Sequence, residues 1–202
     1  MSEAGYTIAR DLDEAQAMAK GLETYVRGSN LYGTVGGGGL FGNRMPSLTI
    51  GALLMRLRRL RAQTDAMTPD QREKLDQILV QHDRTRREWR KHYDEKLTQE
   101  ALSRLKAMGT FFEECAERPR TCGSNYQPET LRRTIVQEII EALRADDQPV
   151  DAIITEAKKI DGRLRRFVQP APFVWASVLE SVYPQGTFWW LYAKPPQVEH
   201  EK

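Results

Sequence analysis

The chain has 202 residues, of which 40% are hydrophobic and 29% are charged, and its formal net charge is +2. This length suits one compact domain, and the composition is that of globular proteins rather than disordered ones. No segment approaches the roughly 20 apolar residues that a membrane-spanning helix requires, so we expect no membrane insertion. The small net charge argues against the class of strongly basic nucleic-acid binders.

Two features bear on the compartment. Residues Met1–Gly5 lack the basic start and apolar core of a secretory signal, which predicts a cytoplasmic protein. Cys115 and Cys122 have a C-x6-C spacing, which is not typical of metal or redox motifs. We expect both to be thiols, although their loop could close in an oxidising compartment.

Apolar residues recur at helical spacing along most of the chain, which predicts an all-α fold. We expect a bundle of about six helices built around one long helix. A glycine-rich loop near the N-terminus and a short extended aromatic segment near the C-terminus complete the prediction. As domains, we expect a single helical domain over 1–202, with a possible N-terminal subregion, 1–65, packed on a helical bundle, 66–193, and a loose tail, 194–202.

The first helix is predicted over about 11–27, and the glycine-rich loop follows it. Ser47 is predicted to cap the second helix at its N-terminus. The apolar stripe of that helix predicts that Arg56 and Arg59 point away from the buried side.

The long helix is predicted over about 69–108. Thr68 can cap its start, Pro69 suits its first turn, and Gln71 can complete a capping box. No glycine or proline interrupts the chain before Gly109. Such a long rod needs a packing partner inside or outside the chain.

Three shorter helices are predicted after it, beginning near Pro128, Pro149 and Pro172. The last of these is expected to end at Val182. Residues 188–192 are predicted to be extended.

The glycine-rich loop is the first candidate binding site. It contains a G-x-G-x-x-G pattern but lacks the βαβ context of a dinucleotide site, and Asn43 and Arg44 stand where a P-loop has its lysine and hydroxyl. A flexible connection is the favoured interpretation, and a phosphorylated ligand is the alternative. The loop glycines concerned are Gly36, Gly37, Gly38, Gly39 and Gly42.

Arginine clusters are the second candidate, because the planar guanidinium fork suits carboxylate and phosphate partners. The cluster over 84–91 contains acidic residues at i,i+4 spacing and is expected to be a self-neutralised helix face. The candidates for binding an anion or a nucleic acid are therefore Arg44, Arg56, Arg58, Arg59, Arg163, Arg165 and Arg166.

The pattern of residues offers little support for a catalytic histidine or a metal site. Glu88, His92 and Glu95 share one helix face, but no second helix supplies a matching ligand pair. We predict no catalytic residue, no metal and no cofactor.

Aromatic side chains are concentrated near the C-terminus, and tryptophan and tyrosine commonly anchor interfaces. Core packing is the favoured use of these rings, and an interface is the alternative. The candidate interface aromatics are Trp89, Trp175, Trp189, Trp190 and Tyr192.

Three function classes follow. The favoured one is a non-enzymatic helical protein-protein interaction protein, an adaptor or assembly subunit, with a protein partner or self-association. The first alternative is a nucleic-acid-associated protein that binds phosphates through its arginine clusters. The second is an enzyme or binding protein for a phosphorylated ligand at the glycine-rich loop.

Overall fold

A computed structural model describes residues 5–35, 45–117 and 126–196. The all-α prediction is confirmed, since six α-helices account for most of these residues. The glycine-rich loop prediction, with Gly36–Gly39, Gly42 and Arg44, lies outside the described residues. The helices are α1 (Ile8–Arg27), α2 (Ile50–Ala62), α3 (Pro69–Glu88), α4 (Arg90–Glu117), α5 (Tyr126–Ala145) and α6 (Asp151–Phe167).

The chain divides into two compact units. One holds Tyr6–Glu100, and the other holds Gly5 and the described residues from Ala101 onward, so that the boundary falls within α4. The predicted single domain with a subregion over 1–65 stays a prediction. We describe each unit by itself.

The core of the first unit forms where α1 packs against both α2 and α3. Each helix contributes a stripe of apolar residues at helical spacing, and burial of these stripes stabilises the unit. The fully buried side chains include Leu12, Met18, Leu22, Ile50, Leu53 and Leu57.

Side-chain caps fix where these helices begin. Thr68 and Gln71 form the predicted capping box at the start of α3, in which the Thr68 hydroxyl accepts from the Gln71 backbone N–H. The prediction that Ser47 caps α2 is wrong, because the Thr49 hydroxyl accepts from Ala52 N instead and the helix begins at Ile50. Serine and threonine both cap helices, so sequence alone did not separate the two positions.

An isolated antiparallel bridge joins Gly33 to Leu48, on either side of the segment that contains the glycine-rich loop. The two residues exchange backbone hydrogen bonds of 2.9 and 2.8 Å. A Cβ at Gly33 would lie 2.9 Å from the Tyr25 ring, so glycine is required for this close approach.

The long helix predicted over 69–108 is interrupted at Trp89, where φ is −117° and ψ is 30°. Backbone hydrogen bonding continues on both sides, from Trp89 N to Thr85 O and from Tyr93 N to Trp89 O. The second segment, α4, then continues to Glu117, beyond the predicted end. No glycine or proline marks the interruption, so the sequence carried no signal for it.

The second unit packs its C-terminal segment against α5. Strands β1 (Gln169–Pro170) and β2 (Ala193–Lys194) pair antiparallel, with Gln169 opposite Lys194. The helix predicted from Pro172 is reduced to a 3-10 helix over Ser177–Val182. Residues Trp189–Tyr192 also form a 3-10 helix, so the extended conformation predicted for them is wrong.

Cys115 is disulfide-bonded, which corrects the expectation of a thiol at this position. The other cysteine of the chain, Cys122, lies outside the described residues. Among the described helices, none has the length and apolar character needed to cross a membrane.

A buried ion-pair cluster lies between α1 and α2. The Glu14 carboxylate accepts from Arg10 Nε at 3.0 Å and from Arg56 Nε at 2.9 Å, and Arg56 Nη2 also contacts it. Asp11 lies 3.8 Å from the Arg56 guanidinium and 3.9 Å from that of Arg59. The prediction that Arg56 and Arg59 point away from the buried side is therefore wrong.

Replacement of Arg56 by alanine removes one partner and leaves the Glu14 and Asp11 charges buried. Breaking such a pair costs about 3–5 kcal/mol. We expect Arg56→Ala to lower the free energy of unfolding by that amount in urea denaturation. Arg72→Ala, at an exposed arginine of the same unit, is the matched control and should change it by less than about 0.5 kcal/mol. Equal effects of the two substitutions would contradict the structural role of the pair.

Candidate interaction surface

The exposed end of α6 carries three of the predicted binding arginines, Arg163, Arg165 and Arg166. Ile153, Ala157, Ile160 and Leu164 form the buried stripe of this helix. Because the helix turns about 100° per residue, the residues between stripe positions face outward. Lys158, Lys159, Arg163, Arg165 and Arg166 are all exposed there.

The cations of this surface differ in how they are paired. Lys159 pairs with Glu156 at 3.0 Å, and Arg163 pairs with Glu113 of α4 at 3.3 Å. Arg166 donates from Nε to the backbone oxygen of Gly162 at 3.2 Å, which satisfies a carbonyl near the helix end. Within the described part of the chain, no carboxylate pairs with Arg165, Arg166 or Lys158.

Arg165 stacks on Trp189. Its guanidinium carbon lies 4.0 Å from the centre of the indole, within the range of a cation–π contact. The indole is half-buried, so part of it remains accessible beside the exposed guanidinium. The stacked pair presents an aromatic surface next to fixed N–H donors. We call Arg165, Arg166 and Trp189 the Arg–Trp surface.

The arginines predicted on α2 lie in a different environment. Arg56 is 5% exposed and Arg59 is 1% exposed, and both face the carboxylates described above. Arg58 is half-buried and also has interactions within the chain. Their predicted anion-binding role stays a prediction, but the two buried guanidinium groups are already engaged by Asp11 and Glu14.

Two of the predicted interface tryptophans lie in the core. The Trp175 indole N–H donates to Thr130 Oγ1 at 3.2 Å, and that of Trp190 donates to Thr134 Oγ1 at 3.0 Å. The two threonines are one turn apart on α5, so this helix anchors both rings. Trp190 also lies 4.0 Å from the guanidinium of Arg133, on the same helix.

The remaining interface candidates, Trp89 and Tyr192, are half-buried. Arg27 stacks on the Trp89 ring at 4.8 Å, and the Trp89 indole nitrogen is buried without a hydrogen-bond acceptor among the described residues. The Tyr192 hydroxyl donates to the backbone oxygen of Tyr183 at 2.9 Å. Of the five aromatics, Trp189 is the one that stands beside the exposed cations of α6.

A buried histidine lies in the first unit. His82 Nδ1 is 2.8 Å from the Asp83 carboxylate, and its Nε2 is 2.8 Å from the Tyr93 hydroxyl. Burial lowers the pKa of His82, although Asp83 opposes this effect. The ring is therefore neutral at pH 7, and both of its nitrogens have a partner.

A buried carboxyl group in α5 was missed by the sequence analysis. Glu129 is 2% exposed, and its Oε1 contacts Arg132 while its Oε2 has no hydrogen-bond partner among the described residues. Burial raises the pKa of Glu129 to about 7, against the opposing effect of Arg132. Its place in the first turns of a helix gave no signal, because acidic residues there are ordinarily exposed.

Metal-ligating side chains do not converge in the described residues. There, no group of three or more histidine, cysteine, aspartate or glutamate side chains is placed to hold a metal ion. The face formed by Glu88, His92 and Glu95 thus gains no further ligand from the parts of the chain that are described.

Comparison with protein families, with curated proteins and with solved structures finds no match for this chain. The function is therefore argued from the surface itself.

The raised pKa of Glu129 gives its contribution to stability a defined pH dependence. Between its ordinary pKa of 4.5 and about 7, the folded protein holds a proton that the unfolded chain has lost. The stability that this proton provides is fully present below pH 4.5 and is lost as the pH rises through 7. Each pH unit within this window changes the free energy of unfolding by up to about 1.4 kcal/mol.

We expect Glu129→Gln to remove this part of the pH dependence, because glutamine stays neutral throughout. Urea denaturation at pH 5, 6, 7 and 8 checks it, and the variant should gain stability over the wild type as the pH rises. Glu156→Gln, a more exposed carboxylate in the same unit, serves as the control. Parallel profiles for Glu129→Gln and the wild type would contradict the assignment.

Proposed function

We propose that this protein is a non-enzymatic helical interaction protein, an adaptor or a subunit of an assembly. The observation that carries the proposal is the exposed Arg165 guanidinium stacked on half-buried Trp189 at the end of α6. Tryptophan and arginine are the residue types that most often contribute the main binding energy at protein interfaces. The stacking holds the guanidinium in place before a partner arrives, which lowers the entropy lost on binding.

The chemistry of this surface favours an acidic protein segment as partner. A guanidinium binds a carboxylate through two parallel hydrogen bonds, and Arg165 and Arg166 have no carboxylate of their own in the described chain. The indole beside them offers apolar area to an aliphatic or aromatic side chain of the same segment. The surface thus combines charge selection with an apolar anchor.

Nucleic acid is the second candidate partner, because stacked arginine and tryptophan also bind exposed bases and phosphates. A backbone-tracking site generally needs a longer run of cations than this surface supplies, and the carboxylates beside Lys159 and Arg163 reduce its positive potential. The net charge of +2 gives no wider basic footprint. We therefore rank it below the acidic protein segment.

The phosphorylated-ligand alternative stays a prediction, because the glycine-rich loop lies outside the described residues. The cytoplasmic location also stays a prediction. The disulfide-bonded Cys115 weighs against it, since disulfides persist mainly in oxidising compartments.

Fluorescence anisotropy with two labelled probes tests the proposed function. A glutamate-rich peptide with one central leucine represents an acidic protein segment, and a single-stranded oligothymidylate represents nucleic acid. We expect the peptide to bind, and we expect Trp189→Ala and Arg165→Gln each to weaken it about tenfold, which corresponds to about 1.4 kcal/mol. Arg165→Gln changes an exposed side chain and should leave the fold intact, so it tests the surface even if Trp189→Ala does not fold.

Arg72→Ala, at an exposed arginine of the first unit, is the matched control and should leave peptide binding unchanged. Stronger binding of the oligonucleotide, with a steep loss of affinity as salt rises, would favour the second candidate instead. Absence of binding to both probes, or equal binding by the wild type and Arg165→Gln, would contradict the role of the Arg–Trp surface.

A further inference from the structure

The outer face of α3 is distinct from the Arg–Trp surface. Leu75, Ile78, His82 and Thr85 form the buried side of the helix, and α1 packs against α3. On the opposite side, Val80 is 69% exposed, an unusual position for a β-branched apolar residue. Around it lies a shallow open groove of about 470 Å³, lined by Glu73, Asp76, Gln77, Val80, Gln81 and Arg84.

Apart from Asp83, whose carboxylate lies 2.8 Å from His82 Nδ1, the charges along this face change sign at Val80. Toward the N-terminus lie Glu73 and Asp76, and toward the C-terminus lie Arg84 and Arg87, all exposed. The four residues fall on one side of the helix, because they are spaced by three, four or seven residues from one another or from Val80. We call Glu73, Asp76, Val80, Arg84 and Arg87 the α3 outer stripe.

The spacing of the stripe is symmetric about Val80. Glu73 precedes it by seven residues and Arg87 follows it by seven, while Asp76 and Arg84 each lie four residues away. Reversing the helix direction about Val80 therefore places every carboxylate at the position of a guanidinium. A surface with this property is complementary to itself, as a two-fold symmetric contact between identical chains requires.

We propose that the α3 outer stripe pairs antiparallel with the same stripe of a second copy of this chain. Val80 of one copy packs on Val80 of the other at the symmetry axis. Glu73 then faces Arg87, and Asp76 faces Arg84, in both directions, which gives four ion pairs around one apolar contact. Residues Gln77 and Gln81 supply amide hydrogen-bonding groups between the ion pairs.

The contacts that the stripe residues make within the chain are weak enough to be replaced by contacts with a second copy. Arg84 lies 3.8 Å from Glu23 of α1, but both side chains are exposed, and such a pair holds little energy. Glu73 accepts from the Gln77 amide at 3.3 Å, which leaves its other oxygen available. In the described chain, neither Asp76 nor Arg87 has an ion-pair partner, so pairing with a second copy satisfies both.

A single pair of helices is a small interface, so we expect a reversible dimer that weakens as salt rises. The proposal is independent of the proposed function, because none of the stripe residues belongs to the Arg–Trp surface. Failure of the anisotropy experiment would leave it untouched.

Sedimentation equilibrium of the full chain, up to millimolar protein, tests the pairing. The wild type is expected to show a monomer–dimer equilibrium. Two charge-reversal variants, Glu73→Lys/Asp76→Lys and Arg84→Glu/Arg87→Glu, place like charges opposite each other and should raise the dimer dissociation constant at least about tenfold. Val80→Asp should do the same by placing two carboxylates at the axis.

Mixing the two charge-reversal variants gives the decisive test. The two reversal variants carry opposite charges, so their equimolar mixture should form a heterodimer, and the chain with all four reversals should regain the homodimer. Lys20→Glu/Arg61→Glu reverses two exposed cations of the same unit off the stripe, and Val178→Asp changes an exposed valine of the other unit. Both controls should dimerise like the wild type.

A monomer at every concentration would overturn the proposal. Dimers that survive both reversals would place self-association elsewhere on the chain and overturn it as well. Failure of the mixture to associate, with both variants folded by circular dichroism, would exclude the antiparallel register. A complex of the wild type with an unrelated charged helix, but not with itself, would assign the stripe to a different partner.

Discussion

The ion pair between Glu14 and Arg56 is the interaction on which the first unit depends. Neither helix could bury these side chains alone, because an isolated charge in the protein interior carries a large desolvation penalty. α1 supplies the carboxylates and α2 supplies the guanidinium groups, so that each helix makes it possible to bury the charged side chains of the other. A slip of one helix along the other would leave both charges unpaired, which fixes their register even though the pair adds little net stability.

This internal pairing also determines which cations are left for binding. Two of the predicted arginines, Arg56 and Arg59, are buried against carboxylates inside the first unit. In the described chain, exposed arginines without a carboxylate partner include Arg165 and Arg166 at the end of α6 and Arg87 of α3. The distribution of charge, rather than the net charge of +2, thus carries the information about partners.

Local signals predicted much of the fold. Helical periodicity gave the fold class, and the capping box at Thr68 gave the start of α3 to the residue. The errors came from long-range effects: Arg56 is buried because Glu14, 42 positions earlier, meets it, and no local pattern encodes that contact. Trp175 and Trp190 lie in the core, where Thr130 and Thr134 accept their indole N–H groups. Trp189 is half-buried although Trp190 follows it directly, because consecutive residues of a 3-10 helix point about 120° apart.

The two surfaces have different chemistry and therefore suit different tasks. The α3 outer stripe balances its own charges, as the proposed pairing with an identical chain requires, while the Arg–Trp surface carries unbalanced positive charge, as the proposed acidic partner requires. Pairing through α3 would place two Arg–Trp surfaces in one particle. A partner with two acidic segments would then bind the second segment at a high effective concentration, so that a weak individual contact becomes a strong one without any additional contact.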